Sequence, residues 1–205
     1  MAFKIIPQRL RKLSFSLIFV LASISFSFGQ NAIVTENLLP GSPRSVWDEG
    51  DQGSIQGFAT EFSVNKGSTI HFKIDIDATI NVPYAVDIYR IGYYQGNGAR
   101  FITSITNGGL GLTGQNQPAF LYETATGKAD CSNWTESCHW DVPANAVSGV
   151  YVARLDCAAV AGTALIIFVV RDDAANSQLL FKTSDATWQA YNTYGGNTFY
   201  PFQRQ

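Results

Sequence analysis

GFATEFSVNKGSTIHFKIDI, residues 57–76, is the stretch on which the fold turns. Phe58, Thr60, Phe62 and Val64 alternate with Ala59, Glu61 and Ser63, and Ile70, Phe72, Ile74 and Ile76 alternate with His71, Lys73 and Asp75. A period of two places one set of side chains on a buried face and the other toward water, the pattern of a half-buried strand. Between the runs, Asn65-Lys66-Gly67-Ser68 has turn composition, and Gly67 tolerates the positive φ that such turns often require. The reading is two consecutive antiparallel strands joined by a hairpin.

Working outward, further strands are expected at Tyr84 to Ile91, Arg100 to Ile105, His139 to Val142, Val150 to Leu155 and Thr163 to Val170, separated by Gly, Asn and Pro clusters. No long stretch before Asp173 has helical periodicity. About seven short strands with frequent turns predict an all-β fold, an immunoglobulin/fibronectin-like antiparallel β-sandwich in which two sheets bury each other's apolar faces. Tyr151, near the start of a predicted strand, is expected to form a tyrosine corner with backbone at Pro143 to Val147. The Gly-rich loop Asn107 to Gln117 lacks the Gly-Lys-Ser/Thr ending of a phosphate cradle, and Gly92, Gly96 and Gly98 read as turn punctuation.

Residues 1–29 read as a signal peptide. Arg9, Arg11 and Lys12 precede the uncharged run Leu13 to Phe28, which is shorter than the ~20 residues of a spanning helix, and cleavage is expected near Gly29-Gln30. The mature chain is thus expected to be exported, periplasmic or extracellular, with no membrane attachment after cleavage. Cleavage removes Lys4, Arg9, Arg11 and Lys12 and no acid, leaving ten basic against sixteen acidic residues, a charge of about −6. An acidic chain without a basic patch argues against a nucleic-acid partner, because that binding depends on neutralising phosphates. The organisation expected is a linker at 30–49, the sandwich at 50–173, and at 174–205 the start of an incomplete α/β domain. In that last part Leu179-Leu180-Phe181 reads as a short buried strand, and Ser184 or Asp185 as a helix cap.

Candidate chemistry is sparse. Cys131, Cys138 and Cys157 would lie in an oxidising compartment, where Cys131–Cys138 would close a short loop and Cys138–Cys157 would join two neighbouring strands; both pairings remain open. A zinc site of the three cysteines with His139 is disfavoured, because the short pair spacing of structural zinc is missing. His71 sits at an outward strand position as a solvated histidine, and Asp75 and Asp77 read as solubilising acids rather than a calcium site. No Gly-x-Ser-x-Gly elbow supports a hydrolase triad. The dense segment Thr187-Trp188-Gln189-Ala190-Tyr191-Asn192-Thr193-Tyr194-Gly195-Gly196 follows the predicted buried strand, where an α/β domain gathers site residues. Its aromatics have two readings, sealing a domain junction or lining a site; Trp188 and Asn192 are the binding candidates.

Four ordered blocks carry a family resemblance: Tyr89-Arg90-Ile91-Gly92-Tyr93-Tyr94 through Gly96-Asn97-Gly98-Ala99-Arg100, Ser148-Gly149-Val150-Tyr151, Phe168-Val169-Val170-Arg171-Asp172-Asp173, and Thr187-Trp188-Gln189-Ala190-Tyr191-Asn192. Over roughly Gly57 to Tyr200 the chain resembles the N-terminal portion of N,N-dimethylformamidase large (beta) subunit-like proteins. The resemblance implies a sandwich followed by an amidotransferase-like α/β domain that hydrolyses amides with iron held by tyrosine and glutamate side chains. It assigns Tyr191 as the candidate metal ligand, with the other ligands beyond Gln205. It further implies that this chain is an accessory part without activity alone, whose partner is the remainder of its own catalytic domain and whose ligand is a small amide. The rival expectation is an exported module binding carbohydrate or a surface partner through Trp47, Tyr93, Tyr94 and Trp134.

Overall fold

A computed structural model of the chain describes residues 31–48, 55–76, 83–106, 110–157, 163–177, 179–196 and 198–200. The signal segment with its cleavage site, Asp77 and Asn107 lie outside the described residues. The chain divides into two compact units, Met1–Thr35 and Glu36–Gln205. In the first, residues 31–35 open helix α1 (Ala32–Asn37), where Asn31 Oδ1 accepts from the Ile33 amide at 2.9 Å as a side-chain cap.

The second unit is built from strands. An antiparallel three-stranded sheet has the order β1 (Ile55–Ala59), β3 (Thr69–Ile76), β8 (Cys138–Asp141). A five-stranded sheet has the order β2 (Ser63–Asn65), β10 (Thr163–Arg171), β9 (Gly149–Asp156), β4 (Ala85–Ile91), β5 (Ala99–Ile105). A small hairpin, β6 (Leu121–Glu123) and β7 (Lys128–Asp130), stands apart from both sheets. The fold is all-β with few helices, as the alternating pattern predicts, and β4, β5, β8, β9 and β10 fall within about one residue of their predicted bounds.

The core lies between the two larger sheets. Ile70, Phe72, Ile74 and Ile76 of β3 are fully buried, and they meet Val86, Ile88, Ala153, Leu155, Ile166 and Phe168 from the opposite sheet in one apolar cluster. Aromatic rings bridge the layers: Phe72 lies edge-on to Phe168 at 5.8 Å, and Trp140 contacts Tyr151 and Phe168 at 5.7 and 6.1 Å. Burying each such side chain contributes about 1.5–3 kcal/mol. The four inward residues of β3 therefore anchor the three-stranded sheet.

The first alternating run is not one strand, which corrects the hairpin expectation. Its front half pairs with β3, whereas its back half, β2, crosses to the other sheet and runs parallel to β10. The five-stranded sheet is consequently mixed rather than purely antiparallel. The crossing also changes parity. Ile55 and Val64 are buried, while Phe58 faces outward against the Trp134 ring at 5.7 Å and Phe62 is exposed. Because side chains alternate strictly, a break at Thr60–Phe62 lets the two halves present opposite phases to one core. The turn forms where expected, with Gly67 at φ 82° and Ser68 N–H donating to Asn65 O at 3.0 Å, but it links strands of different sheets.

Tyr151 is the expected corner. Its hydroxyl donates to Val147 O at 2.7 Å, and its ring stacks on Phe168 at 5.7 Å. Burial pushes its phenol pKa up to about 12. Beside it Arg90, also buried, donates to Ser148 O at 2.8 Å and to the Tyr94 hydroxyl at 2.9 Å. Tyr94 in turn donates to Glu36 Oε1 at 2.9 Å, and Arg100 pairs with the same carboxylate at 2.6 Å. Arg90 is thereby satisfied by hydrogen bonds and Glu36 by its ion pair with Arg100, as desolvation demands. This network, with Trp47 Nε1 donating to Asn97 O at 3.1 Å and Ser42 N–H to Ala99 O at 2.8 Å, ties residues 36–48 along β5 and the β4–β5 turn.

The segment after β10 departs from expectation. Leu179, Leu180 and Phe181 form no strand and are 90, 95 and 78% exposed. A strand needs a hydrogen-bonded neighbour, and none of the described residues pairs with this run. Helix α2 (Asp185–Tyr191) follows, with Ser184 at the cap position but without a side-chain capping bond. No helix among the described residues is long and apolar enough to cross a membrane.

Candidate functional site

Helix α2 and the turn Tyr194–Gly196 carry the predicted site residues. The helix starts where Thr183 Oγ1 donates to Asp185 Oδ2 at 2.7 Å and ends at Asn192, whose amide donates to Gln189 O at 3.3 Å. Asn192 Oδ1 then accepts from Tyr194 N–H at 3.0 Å, an Asx turn that reverses the chain. Gly195, at φ 80°, lies so close to the β6–β7 hairpin that an added Cβ would stand 2.4 Å from Ala129 Cβ. Tyr194 packs edge-on to Phe120 at 5.5 Å, with its hydroxyl beside the Cys131 thiol. Burial, then this contact, pushes the Tyr194 pKa up to about 12, and burial raises that of Cys131. The docking of the tail on the hairpin is thus carried by Tyr194 and Gly195.

Tyr191 is 57% exposed and stacks on Tyr200 with centroids 4.7 Å apart. Trp188 on the same helix is 47% exposed, whereas the Asn192 side chain is committed to its turn. Trp188, Tyr191 and Asn192 therefore share one segment, but they do not converge on a common ligand position that these contacts define. An iron site needs several ligands with an open position for water, and Tyr191 brings one oxygen. The triad of histidine and carboxylate groups that the described residues do bring together, His71, Glu136 and His139, comes from β3, the loop before β8 and β8, and includes no residue of this helix. The residues present around Tyr191 do not by themselves make an iron centre.

The cysteine readings are resolved differently. Cys131, Cys138 and Cys157 are all free thiols. Cys138 and Cys157 are buried in the core, and burial pushes the Cys138 pKa up to about 12, as for an inert thiol. Cys138 belongs to β8 and Cys157 follows β9, so the two lie on different sheets rather than on neighbouring strands. Cys138 and His139 are consecutive on β8, one buried and one exposed, which excludes their joint ligation of zinc. Asp75 accepts from Gln56 Nε2 at 3.0 Å and Gln117 N–H at 2.8 Å, a structural use of that acid.

The proposed carbohydrate platform is also reduced. Tyr94 and Trp134 are buried, Trp47 is half-buried against Gly98, and Tyr93 is 70% exposed. Stacking a sugar requires an open ring face, which Tyr94 and Trp134 lack.

Residues 85–205 match a family model described as N,N-dimethylformamidase beta subunit-like, C-terminal. The match begins with β4 and continues through β10 into α2 and the Tyr194–Gly196 turn. It contains the Arg90–Tyr94 network, the Tyr151 corner and the α2 segment. No curated protein matches the chain.

Proposed function

This chain belongs to the N,N-dimethylformamidase beta subunit-like family, and we propose that it is the exported accessory β-module of an amide hydrolase of that kind, without turnover of its own. Leu179-Leu180-Phe181 is the observation that carries this reading. Three consecutive large apolar side chains at 90, 95 and 78% exposure are a surface that water disfavours and another protein surface would cover. The occupant we propose is an α/β catalytic domain, whose sheet would take this run as a buried strand and place Trp188, Tyr191 and Asn192 at its carboxyl end. Within that domain a small amide is the proposed ligand, and iron, if used there, takes further ligands besides Tyr191.

The facing sheets support the finer fold reading. The order β2-β10-β9-β4-β5 against β1-β3-β8, with a tyrosine corner at the start of β9, supports the reading of an immunoglobulin/fibronectin-like sandwich in which β9 would be the strand that carries the corner. A carbohydrate-binding role has less support, since two of its four aromatic platforms are buried. The test is hydrogen exchange across residues 179–196 in this chain and in a version extended by an α/β domain. Protection of Leu179–Phe181 in the extended protein alone is expected; equal exchange in both would remove the docking role.

A further inference from the structure

His71 and His139 face each other directly across the β3–β8 ladder, on the outer face of the three-stranded sheet. Glu136, three residues before His139, reaches both rings: Nδ1 of His71 is 3.0 Å from Oε2 and Nδ1 of His139 is 3.0 Å from Oε1. One donor atom from each of the three side chains lies within 4.8 Å of the other two. The geometry points to a divalent-cation site here, of the zinc(II) or copper(II) class, held by two imidazoles and one carboxylate.

Donor chemistry selects the class of ion. Imidazole with a carboxylate suits zinc and copper, whereas magnesium and calcium prefer shells of oxygen alone. In a tetrahedral site with bonds of about 2.0–2.2 Å, neighbouring donors stand roughly 3.3 Å apart. Each histidine stands near that value from a different oxygen of Glu136, and the side chains, 38, 43 and 53% exposed for His71, Glu136 and His139, have room for the rotations that would bring one oxygen to both. Two histidines and a carboxylate fill three positions and leave the fourth to water or a ligand from solution.

The backbone beneath is fixed before any ion arrives. His71 and His139 are held by strand register, and the residue after Glu136 is pinned by Ser137 N–H donating to Phe72 O at 2.9 Å and Ser137 Oγ to Ile74 O at 3.0 Å. Thr135 N–H donates to Gln117 Oε1 at 2.9 Å on the other side. Local charge is also favourable. Glu61 lies alongside, its Oε2 3.3 Å from the His71 amide, while Lys73 is turned away to Ser132 O at 3.0 Å. The site uses no residue of helix α2, Tyr191 included, so it does not depend on the catalytic reading.

The experiment is titration of the chelator-treated full chain with zinc chloride, followed by calorimetry and by competition with a chromophoric chelator. One saturable ion per chain is expected, at micromolar affinity or tighter. Loss of a group that merely orients a ligand costs about 10–100-fold in metal affinity, so His71→Ala and His139→Ala are each expected to weaken binding ~100-fold or more. Glu136→Gln is expected to weaken it at least ~10-fold, and Cys131→Ser and Lys73→Ala to leave it unchanged. With copper(II), electron paramagnetic resonance should show coupling to two imidazole nitrogens in the parent and to one in His71→Ala, with circular dichroism verifying the fold of each variant. Absence of saturable binding, binding indifferent to both histidine substitutions, or loss in Cys131→Ser would overturn the site.

Discussion

Replacing Tyr151 by Phe removes one hydroxyl from the centre of the fold and leaves its ring contacts with Phe168 and Trp140 in place. The hydroxyl donates to Val147 O at 2.7 Å, and its loss would normally orphan a half-buried carbonyl, which costs about 1–3 kcal/mol. Here Arg90 Nε also donates to Val147 O at 3.3 Å, so that carbonyl keeps a partner. The expected cost therefore falls to the net value of a single hydrogen bond, about 0.5–1.5 kcal/mol. For a chain of this size that corresponds to a loss of roughly 2–4 °C in Tm per kcal/mol. Urea unfolding followed by tryptophan fluorescence would read the shift in midpoint at constant slope. An unchanged midpoint would remove the corner as a stabilising contact, and a loss above about 1.5 kcal/mol, in the range of an orphaned carbonyl, would show that Arg90 does not rescue it.

Alkaline stability provides a second test. The folded pKa of Tyr151 lies near 12, above the ordinary value of 10.0, so the unfolded chain releases that proton first. Stability from this group is then fully present below pH 10 and is lost as pH rises toward about 12, and Tyr151→Phe should flatten that part of the stability–pH curve. Gly98, at φ 84° with Trp47 Cζ2 only 2.7 Å from a built Cβ, should not accept alanine; a loss of about 1–3 kcal/mol is expected in thermal unfolding of Gly98→Ala. Leu180→Asp, at a position 95% exposed, should change the stability of this chain by less than about 0.5 kcal/mol in the same assay. A chain ending at Asp173 should still unfold cooperatively in urea, because both large sheets and their shared core precede that residue.

Alternation made most of the sheet legible. In β3, four isoleucine and phenylalanine positions spaced by two could face only one side, and all four are buried. Tyr151 was readable because its corner is local, closing on a carbonyl four residues upstream. The switch at Thr60–Phe62 was not, since a break that moves half a strand to another sheet leaves the apolar alternation unchanged while reversing which half of it faces inward. The β6–β7 hairpin left little trace because β6 is exposed along its length and has no buried face to pattern. Leu179-Leu180-Phe181 has the composition of a buried strand, but composition cannot supply the neighbour that would bury it. The outward placement of His71 was visible in the sequence; its meeting with His139 and Glu136 depends on the β3–β8 register, which no local pattern encodes.

Amide turnover tests the central claim most directly. The purified chain and a version extended by an α/β domain would be assayed with N,N-dimethylformamide and other small amides, with iron content measured on both and on extended Tyr191→Phe. The account predicts no turnover by the chain alone, turnover by the extended protein, and loss of both iron and activity in its Tyr191→Phe variant. Amide hydrolysis by the isolated chain would contradict it.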